Sequence, residues 1–286
     1  MSRNKDRLGT PKPQNVETPT QHVHQPSSDG GFSFVVPTEF VELPSRGRFY
    51  APDHPLHNKE TIEIKHMTAK DEDLLTSRSL LKKGIALDRV LESIIKDKNI
   101  QPNSLLVGDR NAIIVAMRVS GYGNIYETQI TCPACGTQQK YGFDLNDVEV
   151  FNGDQRADDV TEHLGNGFFS TILPKMNIPA TFRLLNGNDE KNALKNIESA
   201  RKRKREENLI TSHLNSILVS VDDNQSAEAI RYVIENMPSS DARHLRLAYR
   251  LASPNMDMNQ FFECGSCDHE QELEVPLTAD FFWPDR

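Results

Sequence analysis

The first 31 positions of the chain carry almost nothing apolar. Pro, Gln, Ser, Thr, Asn and charged residues fill them, and such a stretch cannot bury enough surface to offset chain entropy, so residues 1–31 are expected to be a disordered tail. Alternation begins at Phe32, Phe34 and Val36, a short strand that Pro37 ends. The segment Val41-Glu42-Leu43-Pro44-Ser45-Arg46-Gly47-Arg48-Phe49-Tyr50 reads as a strand, a turn built on Pro44 and Gly47, and a returning strand. Thr61 to Lys65 alternates and predicts a second strand. Thr68 through Asp71 has the spacing of a helix start, with Thr68 accepting from the amide three residues on. Asp71, Glu72 and Asp73 then lie at the positive end of the helix dipole, and capping accounts for this acidic cluster better than a metal site does. Leu87, Val90, Leu91 and Ile94 predict a buried helical stripe, residues 109–120 a further helix, and 124–145 a β-hairpin.

The pattern recurs. A shift of 132 residues lays Cys132 on Cys264 and Cys135 on Cys267, and also Asp109 on Asp241, Ala116 on Ala248, Arg118 on Arg250 and Gln139 on Gln271. Upstream the register slips, as loop-length changes would make it. Leu43-Pro44 then answers Leu173-Pro174, and Ile64-Lys65 with Thr68 and Asp71-Glu72 answers Phe182-Arg183 with Asn186 and Asp189-Glu190. Leu91 to Ile95 answers Leu214 to Leu218 in the same order. The expected fold class is therefore α+β: two diverged tandem repeats with pseudo-two-fold packing, each ending in a Cys-x-x-Cys β-hairpin of zinc-ribbon type. The expected organisation is a tail over 1–31, a first repeat over 32–150 and a second over 151–286.

Composition narrows the class. With 33 basic and 41 acidic residues the net charge is −8, which argues against nucleic acid as the main partner. A mean hydropathy of −0.57 and the lack of a long apolar run argue against a membrane span, and the start has no apolar stretch of the kind a secretory signal needs. The run Arg201-Lys202-Arg203-Lys204-Arg205 is read as a solvated helix face with Glu198, Glu206 and Glu207 three or four residues from basic partners. No aromatic residues interleave with it, as stacking on bases would need.

The four cysteines come as two Cys-x-x-Cys pairs, too few for a disulfide scaffold in a chain of 286 residues. Two thiols on a tight turn chelate a metal from one side, and two such turns complete a tetrahedral site. Cys132, Cys135, Cys264 and Cys267 are thus expected to hold one structural Zn, with the glycine after the first knuckle letting backbone amides point at sulfur. Three alternatives are weaker: four unliganded thiols left from a lost site, a redox pair at odds with the hairpin flanks, and a separate metal per pair recruiting His269. No phosphate loop, His-Glu-x-x-His helix or Gly-x-Ser-x-Gly elbow occurs, so no catalytic residue is assigned. His54, His57, Asp158-Asp159 and Asp222-Asp223 read as solvated loop positions, and His22 and His24 as tail residues.

The stretch 41–50, then Met67-Thr68-Ala69-Lys70-Asp71-Glu72, Thr131 to Gly136, and the closing Asp280-Phe281-Phe282-Trp283-Pro284 resemble the baseplate hub proteins of T4-like contractile-tailed phages. The resemblance spans roughly residues 40–285. It implies a non-enzymatic hub subunit or hub-assembly factor acting in tail morphogenesis through other hub or tail proteins, in the host cytoplasm during assembly and in the virion tail. No small-molecule substrate and no membrane enter that picture. Phe281, Phe282 and Trp283 either pack back onto the core or anchor a neighbouring subunit, since aromatic residues dominate interface energies. A zinc-ribbon nucleic-acid-binding accessory protein is the alternative of another class, and a thiol oxidoreductase a distant third.

Overall fold

Residues of alternating polarity pair first. In the computed structural model, which describes residues 35–153, 160–202, 208–275, 277 and 279–282, strand β1 (Thr38–Glu42) runs antiparallel to β2 (Thr61–Lys65), with Thr38 opposite Lys65 and Glu42 opposite Thr61. Val41, Ile62 and Ile64 point inward and are buried. The returning strand expected before Tyr50 does not form. Arg46 and Gly47 take positive φ values of 49° and 71°, so the chain turns there, and β2 supplies the partner strand. A Cβ on Gly47 would lie 2.4 Å from the Leu56 carbonyl oxygen, so this close approach requires glycine.

Helices α1 (Ala69–Thr76), α2 (Arg78–Lys82) and α3 (Ala86–Ile94) follow. At the start of α1 the Asp71 carboxylate accepts from the Thr68 backbone N–H at 2.9 Å and from its hydroxyl at 2.8 Å. The capping box that the spacing predicts is present, the Thr68 side chain taking the Asp71 N–H and the Asp71 carboxylate the Thr68 N–H, and the hydroxyl donates to the carboxylate as well. Val90, Leu91 and Ile94 of α3 are buried as the stripe predicts. Helix α4 (Val107–Tyr122) leads into the hairpin of β3 (Ile125–Thr131) and β4 (Gln138–Asp144), and then β5 (Glu149–Phe151).

The later part of the chain opens with β6 (Glu162–Gly165), β7 (Phe168–Ile172) and β8 (Pro179–Arg183). After α5 (Gly187–Lys202) and α6 (Leu209–Ile217), β9 (Leu218–Val221) completes an antiparallel sheet of order β6-β7-β8-β9. Helices α7 (Ala227–Asn236) and α8 (Ser239–Ala252) precede β10 (Asn255–Asp257), which pairs with β5, and the hairpin of β11 (Asn259–Glu263) and β12 (Glu270–Glu274). One buried cluster runs from Val41 through Ile113, Phe182 and Leu245 to Phe282. Arg110 of α4 bonds Asp88 of α3 at 2.7 Å and lies 3.5 Å from Glu190 of α5, adding an ionic contact beside that core. The tail over 1–31, Phe32 and Phe34 of the strand expected there, and Arg203 to Arg205 of the basic run with Glu206 and Glu207 lie outside the described residues, while Arg201 and Lys202 end α5.

Like bonds recur at like positions. Asp109, third residue of α4, accepts from the Ser45 backbone N–H at 2.9 Å, just after Leu43-Pro44. Asp241, third residue of α8, accepts from the Lys175 backbone N–H at 2.9 Å, just after Leu173-Pro174. Ile64 of β2 bridges Ile95, and Phe182 of β8 pairs with Leu218. The Asp71 carboxylate holds the Thr68 N–H, and the Asp189 carboxylate holds the Asn186 N–H at 3.0 Å.

Candidate metal centre

Each thiol pair sits on the turn of a two-stranded hairpin, and the same two backbone bonds close both turns. The Cys132 N–H donates to Thr137 and its carbonyl accepts from Gly136, both at 2.9 Å. The Cys264 N–H donates to His269 and its carbonyl accepts from Asp268, again at 2.9 Å. Gly136 and Asp268 occupy the same place with φ of 73° and 54°, a left-handed conformation that glycine adopts freely and aspartate at some cost.

The hairpins meet face to face. The Tyr141 hydroxyl donates to the Phe261 carbonyl at 3.0 Å, and the Gln260 amide to the Asp144 carbonyl at 2.8 Å. Gln139 spans the two turns, donating to the Glu263 carbonyl at 3.3 Å and accepting from the Gly265 N–H at 3.2 Å. Phe262 fills the space behind the thiols, its ring 5.1 Å from that of Tyr141. Cys132 and Cys264 are buried with Phe262 in a small apolar cluster, whereas Cys135 and Cys267 are exposed.

This packing brings all four sulfurs within 4.8 Å of one another. Cys132 Sγ lies 3.7 Å from Cys267 Sγ, and Cys135 Sγ lies 3.7 Å from Cys264 Sγ. A tetrahedron with Zn–S bonds of about 2.3 Å has S···S edges of about 3.8 Å, so these separations fit a single ion. They are too long for disulfide bonds, which hold sulfurs at about 2.05 Å. Hydrogen bonding by the Thr137 hydroxyl and backbone lowers the Cys135 thiol to about 6. The His269 backbone pulls Cys267 the same way, but Cys135, burial and the other two thiols outweigh it and push Cys267 up to about 12. Four thiols this close resist full ionisation unless a cation offsets their charge.

His269 belongs to the second knuckle through its backbone but is not among the four clustered ligands, and the remaining residues singled out along the chain belong to other parts of the fold. Phe281 and Phe282 are 0% and 1% exposed. The Phe281 ring packs 5.2 Å from that of Tyr126, and Arg118 donates from Nε to the Phe281 carbonyl at 3.0 Å. Both rings are core residues with no area left to anchor a neighbour, which corrects the interface reading for this pair. Trp283 lies outside the described residues. His54 is no solvated loop residue either: it stacks on Tyr50 with centroids 4.3 Å apart and pairs with Ser104 Oγ at 2.9 Å. His57 Nδ1 lies 2.7 Å from the Tyr50 carbonyl oxygen. Asp222 and Asp223 are exposed turn residues, and Asp158 and Asp159 lie outside the described residues.

Sequence reasoning missed the buried acceptor role of Asp109, which also takes bonds from Ser45 Oγ at 2.6 Å and Tyr50 Oη at 2.7 Å. Its match to Asp241 was the available signal. A cavity of about 690 Å³ adjoins Asp88, Arg110, Glu190 and Lys191, whose charges pair with one another. Among the described residues no helix is long and apolar enough to cross a membrane.

No curated protein and no solved structure matches the chain. A family model does: its description is T4 bacteriophage base plate protein, it covers residues 38–283, and the chain belongs to that family.

Proposed function

We propose that the protein is a non-enzymatic component of the phage baseplate hub, as a subunit or an assembly factor, built from a diverged tandem duplication whose two halves are stapled by one structural zinc. The observation that carries the zinc reading is the meeting of four thiols from hairpins far apart in the chain, at the spacing of a tetrahedral site. Four sulfur ligands leave no open coordination position, so the ion contributes folding energy and not chemistry. The duplication is supported by the paired bonds of Asp109 and Asp241 and by the matched closure of the two knuckles. The hub role rests on family membership together with the resemblance at 41–75 and 105–145.

Elemental analysis of protein purified without a metal-affinity tag is expected to give one zinc per chain, with a lower melting temperature after chelation. No bound metal, four titratable thiols and an unchanged melt would sink the staple. Phage lacking this gene are expected to arrest with baseplates that have no complete hub; finished hubs in its absence would remove the hub reading. A zinc-ribbon nucleic-acid binder would instead show DNA affinity falling steeply with salt.

A further inference from the structure

One side chain of the first hairpin holds the backbone on both sides of a cysteine in the second. Gln139 of β4 donates from Nε2 to the Glu263 carbonyl at 3.3 Å and accepts at Oε1 from the Gly265 N–H at 3.2 Å, and these two residues flank Cys264. Cys264 Sγ itself lies 3.8 Å from the same Oε1. A carbonyl can only accept and an N–H can only donate, so the two backbone groups fix which end of the amide faces which. The N–H and carbonyl of Cys264 are taken up inside its own knuckle, by His269 and Asp268. Gln139 therefore ties the backbone around a buried ligand to the hairpin that carries the other pair.

The same clasp cannot close in the opposite direction. The shift of 132 residues lays Gln139 on Gln271, Thr131 on Glu263 and Pro133 on Gly265. Proline has no backbone N–H, so Gln271 lacks the donor that Gln139 finds in Gly265. The two knuckles are alike in their turns and unlike in this contact, which runs from the first half to the second. What position 265 must supply is the N–H and not the lack of a side chain. A Cβ built there meets nothing nearer than Gln139 Oε1 at 3.8 Å, an ordinary contact, and Gly265 is not among the residues of positive φ.

We propose that Gln139 is a positioning residue of the metal centre, fixing Cys264 where the four sulfurs meet so that the two hairpins present a preformed site. This rests on the zinc reading above and adds to it a residue outside the four ligands. The ligands come from turns far apart in the chain, and the ion must otherwise bear the cost of ordering one against the other. A clasp already closed leaves less to order on binding, which is how preorganisation raises affinity. Partners that orient a ligand from behind change metal affinity by about 10- to 100-fold when they are removed.

Competition for zinc between the full chain and a chromophoric chelator tests this. Gln139→Met keeps the length of the side chain and loses both bonds, and it is expected to hold zinc about 10- to 100-fold more weakly than the native chain. Gln271→Met is expected to hold it as the native chain does. Gly265→Pro removes the N–H and installs the residue that the first knuckle carries at 133, so it should weaken zinc binding too, whereas Gly265→Ala keeps the N–H and should not. Gly265→Pro and Gln139→Met together should cost less than the sum of the two, because both cut the same bond. In the protein as purified, the Gly265 amide should exchange several-fold faster in Gln139→Met than in the native chain, a readout that does not pass through metal affinity. Native affinity in Gln139→Met, an equal loss in Gln271→Met, or an unchanged Gly265 amide overturns the positioning role and leaves the zinc reading standing. A native chain that binds no zinc overturns both.

Discussion

Replacing Asp109 and Asp241 separately by asparagine should produce unequal losses of stability. Both carboxylates are fully buried at the third position of a helix, and each fixes the turn that follows a Leu-Pro pair. Their donors differ. Asp241 accepts from two backbone N–H groups, Lys175 at Oδ1 and Met176 at Oδ2, both at 2.9 Å. A backbone N–H can only donate, so an amide at position 241 must turn its NH2 against one of them, losing one bond and leaving that donor unmatched. The loss is about 2–3 kcal/mol. Asp109 accepts one backbone N–H at Oδ1, but Oδ2 faces the hydroxyls of Ser45 and Tyr50. The two hydroxyls already accept from the Gly47 and Leu106 N–H groups, but each has a second lone pair for an amide NH2, so Asp109→Asn leaves every backbone N–H matched and should cost about 1 kcal/mol.

In a chain of this size 1 kcal/mol corresponds to about 2–4 °C, so thermal melts should show Asp241→Asn falling well below Asp109→Asn. Asp109→Ala, which strands all three donors, should fall further than Asp109→Asn. A pH series adds a second reading. Burial raises the Asp109 pKa, opposed by the Ser45 and Tyr50 bonds. A raised folded pKa means the contribution of Asp109 is fully present below the unfolded value of about 3.9 and is lost as pH rises through the folded one. Asp109→Asn should remove that component of the pH dependence. If Asp109→Asn proves as damaging as Asp241→Asn, donor chemistry does not govern these sites and the reasoning fails.

Asp268→Gly should stabilise the second knuckle by about 0.5–1 kcal/mol, because φ of 54° suits glycine as it does at Gly136; a lower melting temperature would show that the carboxylate has a part of its own. Arg118 donates to the carbonyls of Phe281, Gly123 and Ile125, so Arg118→Ala should cost about 3 kcal/mol and speed proteolysis near residue 280, whereas unchanged cleavage would separate the arginine from the closing turn.

Much of the candidate site was legible because its signal is discrete. Cysteine pairs two residues apart, repeated at a fixed shift with the same flanking alternation, specify both the hairpins and the ligand type, and β2, α3 and the first hairpin follow from strict period. The segment 41–50 departs from its expected form for an identifiable reason: alternation says which residues can pair, but the turn there is held by Asp109, a residue far away in the chain. The same long reach explains the histidines, since His54 is drawn inward by Tyr50 and Ser104 and its local sequence carries no trace of either. The fate of Phe281 and Phe282 depended on the tertiary position of Tyr126 and Arg118, which periodicity cannot supply.

The energetics of the knuckle end explain why a metal would matter there more than elsewhere. Among the described residues the cluster around the thiols holds only Cys132, Phe262 and Cys264 as its buried members, and it meets the main core through the partly buried Ile130, Tyr141 and Leu273. Burying a side chain such as Phe262 contributes about 2–3 kcal/mol. Ordering the backbone costs about 1–2 kcal/mol per residue, and each knuckle orders several residues beyond the last core-facing pair. Two-stranded hairpins are marginal by themselves, and the exposed faces of β4 and β12 add little. Apolar burial therefore does not hold the tips together, whereas a tetrathiolate ion binds with about 10–16 kcal/mol. Removal of metal should accordingly open the structure from this end. Amide exchange on chelation should rise first at residues 132–138 and 264–270, before Ile113 or Leu245, and uniform exchange along the chain would show that the two clusters melt as one.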